Sequence, residues 1–460
     1  MTYLVSILAL VALFTIATVT PINMGVLAFA AAFTIGPLMS GLSIDDILGE
    51  FPANIFVIVV GITLLFGIAR VNGTIDLVVT GLLKVVRGKR WAVVWLMFVL
   101  GAVLMSLGSV LAVGMLAPIA MPIAKRYTID PLLMGMMISH GVLGAAFSPI
   151  TVYGAFVNGW LSDRGLSAGP VALFLIPLGL NLLMAAVLFA VRGRDLLRDV
   201  ALDESASDGD DSPGTEPGTA TVTPSGPAPA SGESGGLTTT AAPLAGAAVA
   251  VRPMNADDQP TGLTPLRLLT LTGMLALFVS AAVFGADVGV ASLCIAALLL
   301  VFAPNRHKAA INNVTWSAVV LVCGMLTYMS VLEQNGTLEW MGKAASSLGS
   351  PLLTGLVLCL AVAAISAIGS SIGTLGIVLP LAAPMLATGE LPTVALVAAL
   401  AFCTVVVDVS PFSSNGVMVL ANAQVDDRTA FQRRLLRYCG LTVLAAPALA
   451  TIAVLLPATL

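Results

Sequence analysis

The chain has 460 residues, of which 58% are hydrophobic and only 10% charged, with a formal net charge of −4. A soluble globular domain carries about 25% charged residues, so this chain cannot cover a water-facing surface and takes the lipid bilayer as its main solvent. No basic stripe or aromatic-basic interleaving is present to bind a polyanion, and no nucleic acid is expected as a partner.

In chain order, the N-terminal MTYLVSILALVALFTIATVT lacks a basic leader region and a small-residue cleavage site. It reads as a retained first span. Spans are expected near 3–20, 23–41 and 53–71, followed by the amphipathic TIDLVVTGLLKVVRGKR. Residues 91–124 then hold too many apolar positions for one span of about 20 residues. Basic clusters flank this segment on both sides, with Lys84, Arg87, Lys89 and Arg90 before it and Lys125 and Arg126 after it. Positive clusters sit on the cytoplasmic side, so the segment enters and returns as a re-entrant hairpin turning at residues 106–109. A span near 131–161 is interrupted by FSPITVYG, where a proline breaks the helix, and a sixth segment covers about 170–191. Residues 199–262, rich in Pro, Gly, Ser, Thr and Ala, read as a disordered cytoplasmic linker.

The half from 263 to 460 repeats the half from 1 to 198. VNGTIDLV and QNGTLEWM align Asn72 with Asn335 at an offset of 263, which also aligns Gly61 with Gly324. Ser109, Gly114, Pro118 and Pro122 align with Ser371, Gly376, Pro380 and Pro384 at 262. Ser148, Pro149 and Gly154 align with Ser410, Pro411 and Gly416 at the same offset, and Gly25 with Gly289 at 264. The first half crosses five times, so the second runs inverted, with its own re-entrant hairpin at 351–387 entering from outside. Of the 20 Lys and Arg, only Arg164 and Lys343 then fall outside. The expected fold is an all-α membrane protein of about ten transmembrane helices plus two re-entrant hairpins in two inverted repeats, with both termini external.

Broken helices leave N–H groups at one new end and C=O groups at the other, and these line a polar cavity near mid-membrane. The N–H ends attract anions and the C=O ends cations, so an anion with a coupling cation is the expected cargo. The breaks offer hydroxyls and one amide as substrate-binding candidates. These are Ser109, Ser148 and Thr151 in the first half, and Ser370, Ser371, Thr374, Ser410, Ser413, Ser414 and Asn415 in the second. Isolated Ser and Thr in membranes commonly serve helix packing instead, and it is the clustering at repeat-related breaks that favours a site. No Lys or Arg is expected near the breaks. Asp408 is a deep carboxylate suited to a coupling Na⁺ or a proton, with Gly108 and Gly373 giving close backbone approach. His140 is a second candidate, for proton transfer or as a neutral structural histidine. Asp408 aligns with Ala146 and His140 with Phe402, so any coupling role is asymmetric. The five cysteines, Cys294, Cys323, Cys359, Cys403 and Cys439, lie in apolar segments without metal-site spacing, and neither a disulfide nor zinc is expected.

With these hairpins and breaks placed, the chain resembles the ion transporter superfamily, in particular the divalent anion/sodium symporters. GSVLAVGMLAPIAMPIAKRYTIDPLLMGMMISHG and AAFSPITVYG look like bacterial dicarboxylate carriers of the malonate-uptake type. In that family the hairpin tips carry Ser-Asn-Thr about nine residues before a proline. Here Ser109 and Ser371 stand at that distance from Pro118 and Pro380, but Val110 and Leu111, and Ile372 and Gly373, replace the Asn and Thr. The family's Thr-Pro-Pro-Asn break appears as Ser148-Pro149-Ile150-Thr151 and Ser410-Pro411-Phe412-Ser413. The resemblance implies a homodimer in the plasma membrane with elevator-like alternating access. It implies a carrier of small dicarboxylates, malonate or C4 acids, coupled to Na⁺ or H⁺ and needing no cofactor. A Na⁺/H⁺ or metalloid-oxyanion antiporter of the same superfamily is the alternative. A membrane-embedded enzyme would need a polar catalytic cluster, and the chain has only two histidines, on different sides of the linker.

Overall fold

In apolar surroundings every backbone N–H and C=O must be satisfied within the chain, and helices achieve this locally. The computed structural model describes residues 2–20, 22–75, 77, 89–197, 263–284, 286–338, 340, 350–368 and 371–459. All regular elements among these are helical. The expected linker at 199–262, most of the amphipathic stretch after residue 75, and Ser370 lie outside the described residues.

The first half contains α1 (Thr2–Val19), α2 (Met24–Ser40), the short α3 (Ile44–Gly49) and α4 (Ala53–Val71). It continues with α5 (Arg90–Ser106), α6 (Ala112–Arg126), α7 (Pro131–Gly144), α8 (Val152–Ser162) and α9 (Pro170–Arg192). The second half has α10 (Pro265–Phe284), α11 (Val288–Phe302), α12 (His307–Asn312) and α13 (Trp316–Gln334). It ends with α14 (Pro351–Ser366), α15 (Ser371–Thr388), α16 (Thr393–Val406), α17 (Ser414–Asn422) and α18 (Arg428–Ala450). Side chains at the N-caps start many of these helices. Asn23 accepts from Gly25 N at 2.8 Å, Asp130 from Leu132 N at 3.0 Å, and Asp287 from Val290 N at 2.7 Å. Each such cap stabilises its helix by about 1 kcal/mol.

Four helices, Ala53–Val71, Pro170–Arg192, Trp316–Gln334 and Arg428–Ala458, are long and apolar enough to cross a membrane, and a pair bent by 113°, Val288–Phe302 with Pro304–Asn312, makes a fifth if counted as one span. Other apolar helices accompany these, among them α1 and α10 with 18 and 20 residues. α5/α6 and α14/α15 are successive helix pairs, and α7/α8 and α16/α17 are interrupted helices. Each divides a long apolar run into shorter pieces. The outer faces are apolar, with Leu38, Val191, Phe284 and Val301 exposed, whereas Ser139, His140 and Thr374 are fully buried. Polar inside and apolar outside is the pattern that a hydrocarbon solvent selects.

Two packing groups result. In one, α2 lies against α13 and α11 against α4. The crossings are reciprocal between the halves. A Cβ on Gly324 would overlap the carbonyl oxygen of Gly25, and one on Gly25 would overlap that of Val320. At the counterpart crossing, a Cβ on Gly289 would stand 2.9 Å from Ile58 N, and one on Gly61 would overlap the Ser292 hydroxyl. Only glycine permits these backbones to approach so closely. The two NGT segments follow the same rule. Asn72 bonds Thr270 at 2.7 Å and Asn335 bonds Ser6 at 3.1 Å, while each asparagine also receives the N–H of Thr74 or Thr337 at 3.0 Å.

The second group joins α5, α6, α7 and α9 to α14, α15, α16 and α18. Asp130 pins its edge, pairing with Arg192 at 3.0 Å and Arg434 at 2.6 Å. The groups meet where α8 packs on α4 and α15 on α13.

Candidate functional site

The two helix breaks share one construction. At the first, α7 stops at Gly144 and Thr151 caps α8, accepting from Gly154 N at 3.0 Å and donating to Ser148 O at 2.8 Å, with the Ala146 carbonyl alongside. At the second, Ser413 caps α17, accepting from Gly416 N at 3.4 Å and donating to Ser410 O at 2.7 Å. A Cβ on Gly154 or Gly416 would overlap the Ser148 or Ser410 carbonyl oxygen. The shared pattern Ser-Pro-x-Ser/Thr-x-x-Gly is thus one structural device. Proline ends a helix, a hydroxyl starts the next, and glycine lets the new helix lie over the break. Thr151 and Ser413, expected to face substrate, spend their hydroxyls on this device.

Each helix pair is tied to the interrupted helix of its own half, at the break in the first and in the last turn of α16 in the second. Ser148 Oγ donates to Ser106 O at 2.8 Å, and Ser366 Oγ donates to Thr404 O at 2.6 Å while lying 3.3 Å from Ser371 Oγ. Gly108 turns the first tip with φ +106°, a left-handed conformation that favours glycine, and a Cβ there would stand 3.0 Å from the Phe66 ring. Ser109 is buried, and among the described residues its hydroxyl reaches only Met115 Sδ, at 3.7 Å.

The second half gathers the polar set around Asp408, which is 6% exposed. Its carboxylate accepts from Asn415 Nδ2 at 3.2 Å. The Ser371 hydroxyl and the Asn415 backbone N–H also face it. Tyr153, at the start of α8, is an electrostatic neighbour of the carboxylate. Tyr153 is not among the candidates named from sequence, although the 262 offset aligns it with Asn415 and marks both as the second residue of a re-started helix. No Lys or Arg pairs with Asp408 among the described residues. No group of three or more His, Cys, Asp or Glu forms a metal cluster there either.

Other expected residues fall elsewhere. Ser414 stands exposed at the start of α17, and Thr374 is fully buried on α15. A Cβ on Gly373 would stand 2.6 Å from Met24, so this glycine sets the approach of α15 to the α2/α13 pair. His140 lies between α7, α9 and α18, with Nδ1 2.9 Å from Asn181 Oδ1 and Nε2 2.5 Å from Tyr438 Oη. Asn181 donates through Nδ2 to Pro177 O at 3.0 Å, which fixes its amide and leaves Oδ1 to accept from the ring. His140 is then the Nδ1–H tautomer, with Nε2 accepting from Tyr438.

Two cavities flank α4 and α13. The larger, about 650 Å³, is lined by Glu50, Asn54, Asp163, Arg164, Glu333 and Pro380 among others. The smaller, about 40 Å³, lies between Arg70, Asn313, Thr315, Gly108 and Ser109. Repeat-related residues line both: at 263, Phe66 aligns with Met329, Gly67 with Ser330, Arg70 with Glu333, and Glu50 with Asn313. The expectation that no Lys or Arg approaches the breaks is corrected here. Arg70 shares a cavity with the first hairpin tip because α4 packs its C-terminal half beside that tip. In the larger cavity Glu333 pairs with Arg164 at 2.9 Å, and Arg164 lies 4.2 Å over the Trp160 ring.

No match is found among curated proteins. Residues 1–146 match the family described as dicarboxylate carrier protein MatC N-terminus, a likeness that runs from α1 through the first hairpin and α7 and ends at Ala146, inside the first break.

Proposed function

We propose that this chain carries small dicarboxylates, malonate or C4 acids, across a membrane, coupled to a cation. The observation that carries the reading is the Asp408 cluster. A buried carboxylate faces a hairpin-tip serine and a re-started helix, and its hydrogen-bonding neighbours among the described residues are all neutral. Such a group is costly in hydrocarbon unless a proton or a cation accompanies it. The adjoining helix N-termini supply N–H groups suited to a carboxylate cargo. The likeness of residues 1–146 to dicarboxylate carriers supports the same cargo class.

Two inverted repeats with re-entrant hairpins would give alternating access to a site between them.

The test is counterflow of labelled malonate and succinate in proteoliposomes, with Na⁺ replaced by choline at two pH values. Cation-dependent exchange of either acid is expected. Absence of exchange with any dicarboxylate, or Na⁺/H⁺ exchange alone, would overturn the reading.

A further inference from the structure

We infer that Arg70 is a carboxylate anchor, completing with the first hairpin tip a binding site for one carboxylate of the transported acid. This rests on the dicarboxylate reading for the ligand, though not for the anion site itself. Three observations carry it.

The first is that Arg70 is under-used. Its guanidinium offers five donors, and its one hydrogen bond among the described residues, to Asn313 Oδ1, is 3.5 Å long, at the limit for such a contact. The other arginine nearby, Arg306, is occupied in donating to Val71 O at 3.0 Å. Asn313 is held by its own bond from Nδ2 to Ala309 O at 2.8 Å, so it cannot follow Arg70 freely.

The second is what Arg70 faces. Among the described residues lining the small cavity there is no Asp or Glu. Ser109 brings a hydroxyl whose only partner among those residues is a thioether sulfur, a weak acceptor. Arg70 and Ser109 are therefore two donors in one cavity whose described lining holds no carboxylate to take them. A carboxylate satisfies both, taking the planar guanidinium side-on and the hydroxyl at its other oxygen. The cavity, of about 40 Å³, is small and partly open.

The third is specific to this chain. Val110 and Leu111 stand at the tip positions after Ser109, where neither side chain can donate a hydrogen bond. Among the tip residues lining the cavity only Ser109 carries a hydroxyl, and Arg70 adds donors from the α4 side. Gly67 makes this possible, since a Cβ there would stand 2.8 Å from Ala310 O, and close packing of α4 on α12 sets Arg70 at the cavity rim.

The experiment uses Thr315→Cys in a Cys294→Ala background, because Thr315 lines the cavity and Cys294 is the exposed native thiol. Labelling rates are compared for an anionic sulfonate-bearing thiosulfonate and a neutral one, with Arg70 retained or changed to Gln or Lys. A charge within several ångströms at intermediate dielectric predicts an anionic-to-neutral rate ratio about fivefold lower in Arg70→Gln and unchanged in Arg70→Lys. Malonate and inorganic sulfate should each slow labelling only while residue 70 is cationic. For uptake, loss of a charge-assisted bond predicts a KM for malonate raised about 10- to 100-fold in Arg70→Gln, with partial rescue by Lys. A rate ratio indifferent to residue 70, or equal KM values, would overturn the inference. If the parent takes up no dicarboxylate, the functional reading fails while the labelling ratio and sulfate protection still decide the anion site. Size-exclusion profiles of both variants identify any failure to fold, and in that event Arg70→Lys alone must reproduce the parent ratio.

Discussion

Replacing Asp408 with Asn tests the coupling proposal with little change of shape. The amide keeps an oxygen for Asn415 Nδ2, which donates to Asp408 at 3.2 Å, and retains acceptor capacity toward the Ser371 hydroxyl. What disappears is one negative charge in a site with no fixed cation among the described residues. If that charge binds the coupling cation, the variant moves one fewer positive charge per substrate. At a membrane potential of 100 mV each charge contributes about 2.3 kcal/mol, which converts to roughly a 50-fold difference in steady-state accumulation. The assay is malonate accumulation in proteoliposomes clamped at several potassium diffusion potentials. The slope of log accumulation against potential should fall by the equivalent of one charge in Asp408→Asn, while the protein elutes as the parent does. An unchanged slope with unchanged Na⁺ and pH dependence would refute the assignment. Asp408 would then be a structural acceptor for the re-started helix.

Gly324→Ala should destabilise by about 2 kcal/mol or more, because its Cβ would press on the Gly25 backbone. Gly61→Ala should cost less, since its nearest obstacle is a Ser292 side chain that can rotate; melting in detergent compares the two. Thr151→Ala should lose about 1 kcal/mol of α8 capping and Thr151→Ser should not, with lowered transport appearing in the first variant only. His140→Leu leaves the Asn181 and Tyr438 groups unpaired and should lower the melting temperature by several degrees. If His140 only joins helices, the pH profile of uptake in that variant keeps the parent's shape, and a displaced profile would assign it to proton transfer.

Much of the helical layout is legible because apolar runs bounded by Pro, Gly and charge define it. The span expected at 53–71 coincides with α4, the one at 170–191 falls one residue short of α9, and the stretch 351–387 covers α14 and α15 to within a residue. The breaks are legible because a Ser-Pro pair inside an apolar run removes a backbone donor and stops the helix there. The use of each hydroxyl is not legible. Thr151 and Ser413 look like ligands from composition, yet cap geometry claims them. Ser366 and Asn181 lie in unremarkable apolar strings, and only packing shows that they hold a tip and a histidine. Arg70 escapes notice because a basic residue closing an apolar run reads as a span boundary. Its role depends on α4 lying beside a hairpin tip 38 residues later, a contact no local pattern encodes.

The two cavities carry opposite charge on repeat-related walls, and this separates two properties that transport assays often merge. Arg70 and Asn313 line the small cavity where Glu333 and Glu50 line the large one, and Arg164 neutralises only one of those glutamates. A fixed cation at one end deepens the binding well for an anion there. Equilibrium accumulation is set by the charges that cross with the substrate, so a residue that only binds substrate cannot alter it. Arg70 should therefore govern affinity and its sidedness, giving a lower KM from the small-cavity side, and leave the accumulation limit untouched. Asp408, in the break between α16 and α17, should do the reverse if it binds the cation that crosses with the substrate. Arg70→Gln and Asp408→Asn thus predict orthogonal phenotypes in the same proteoliposomes, and a change of accumulation limit in Arg70→Gln would contradict the division of labour.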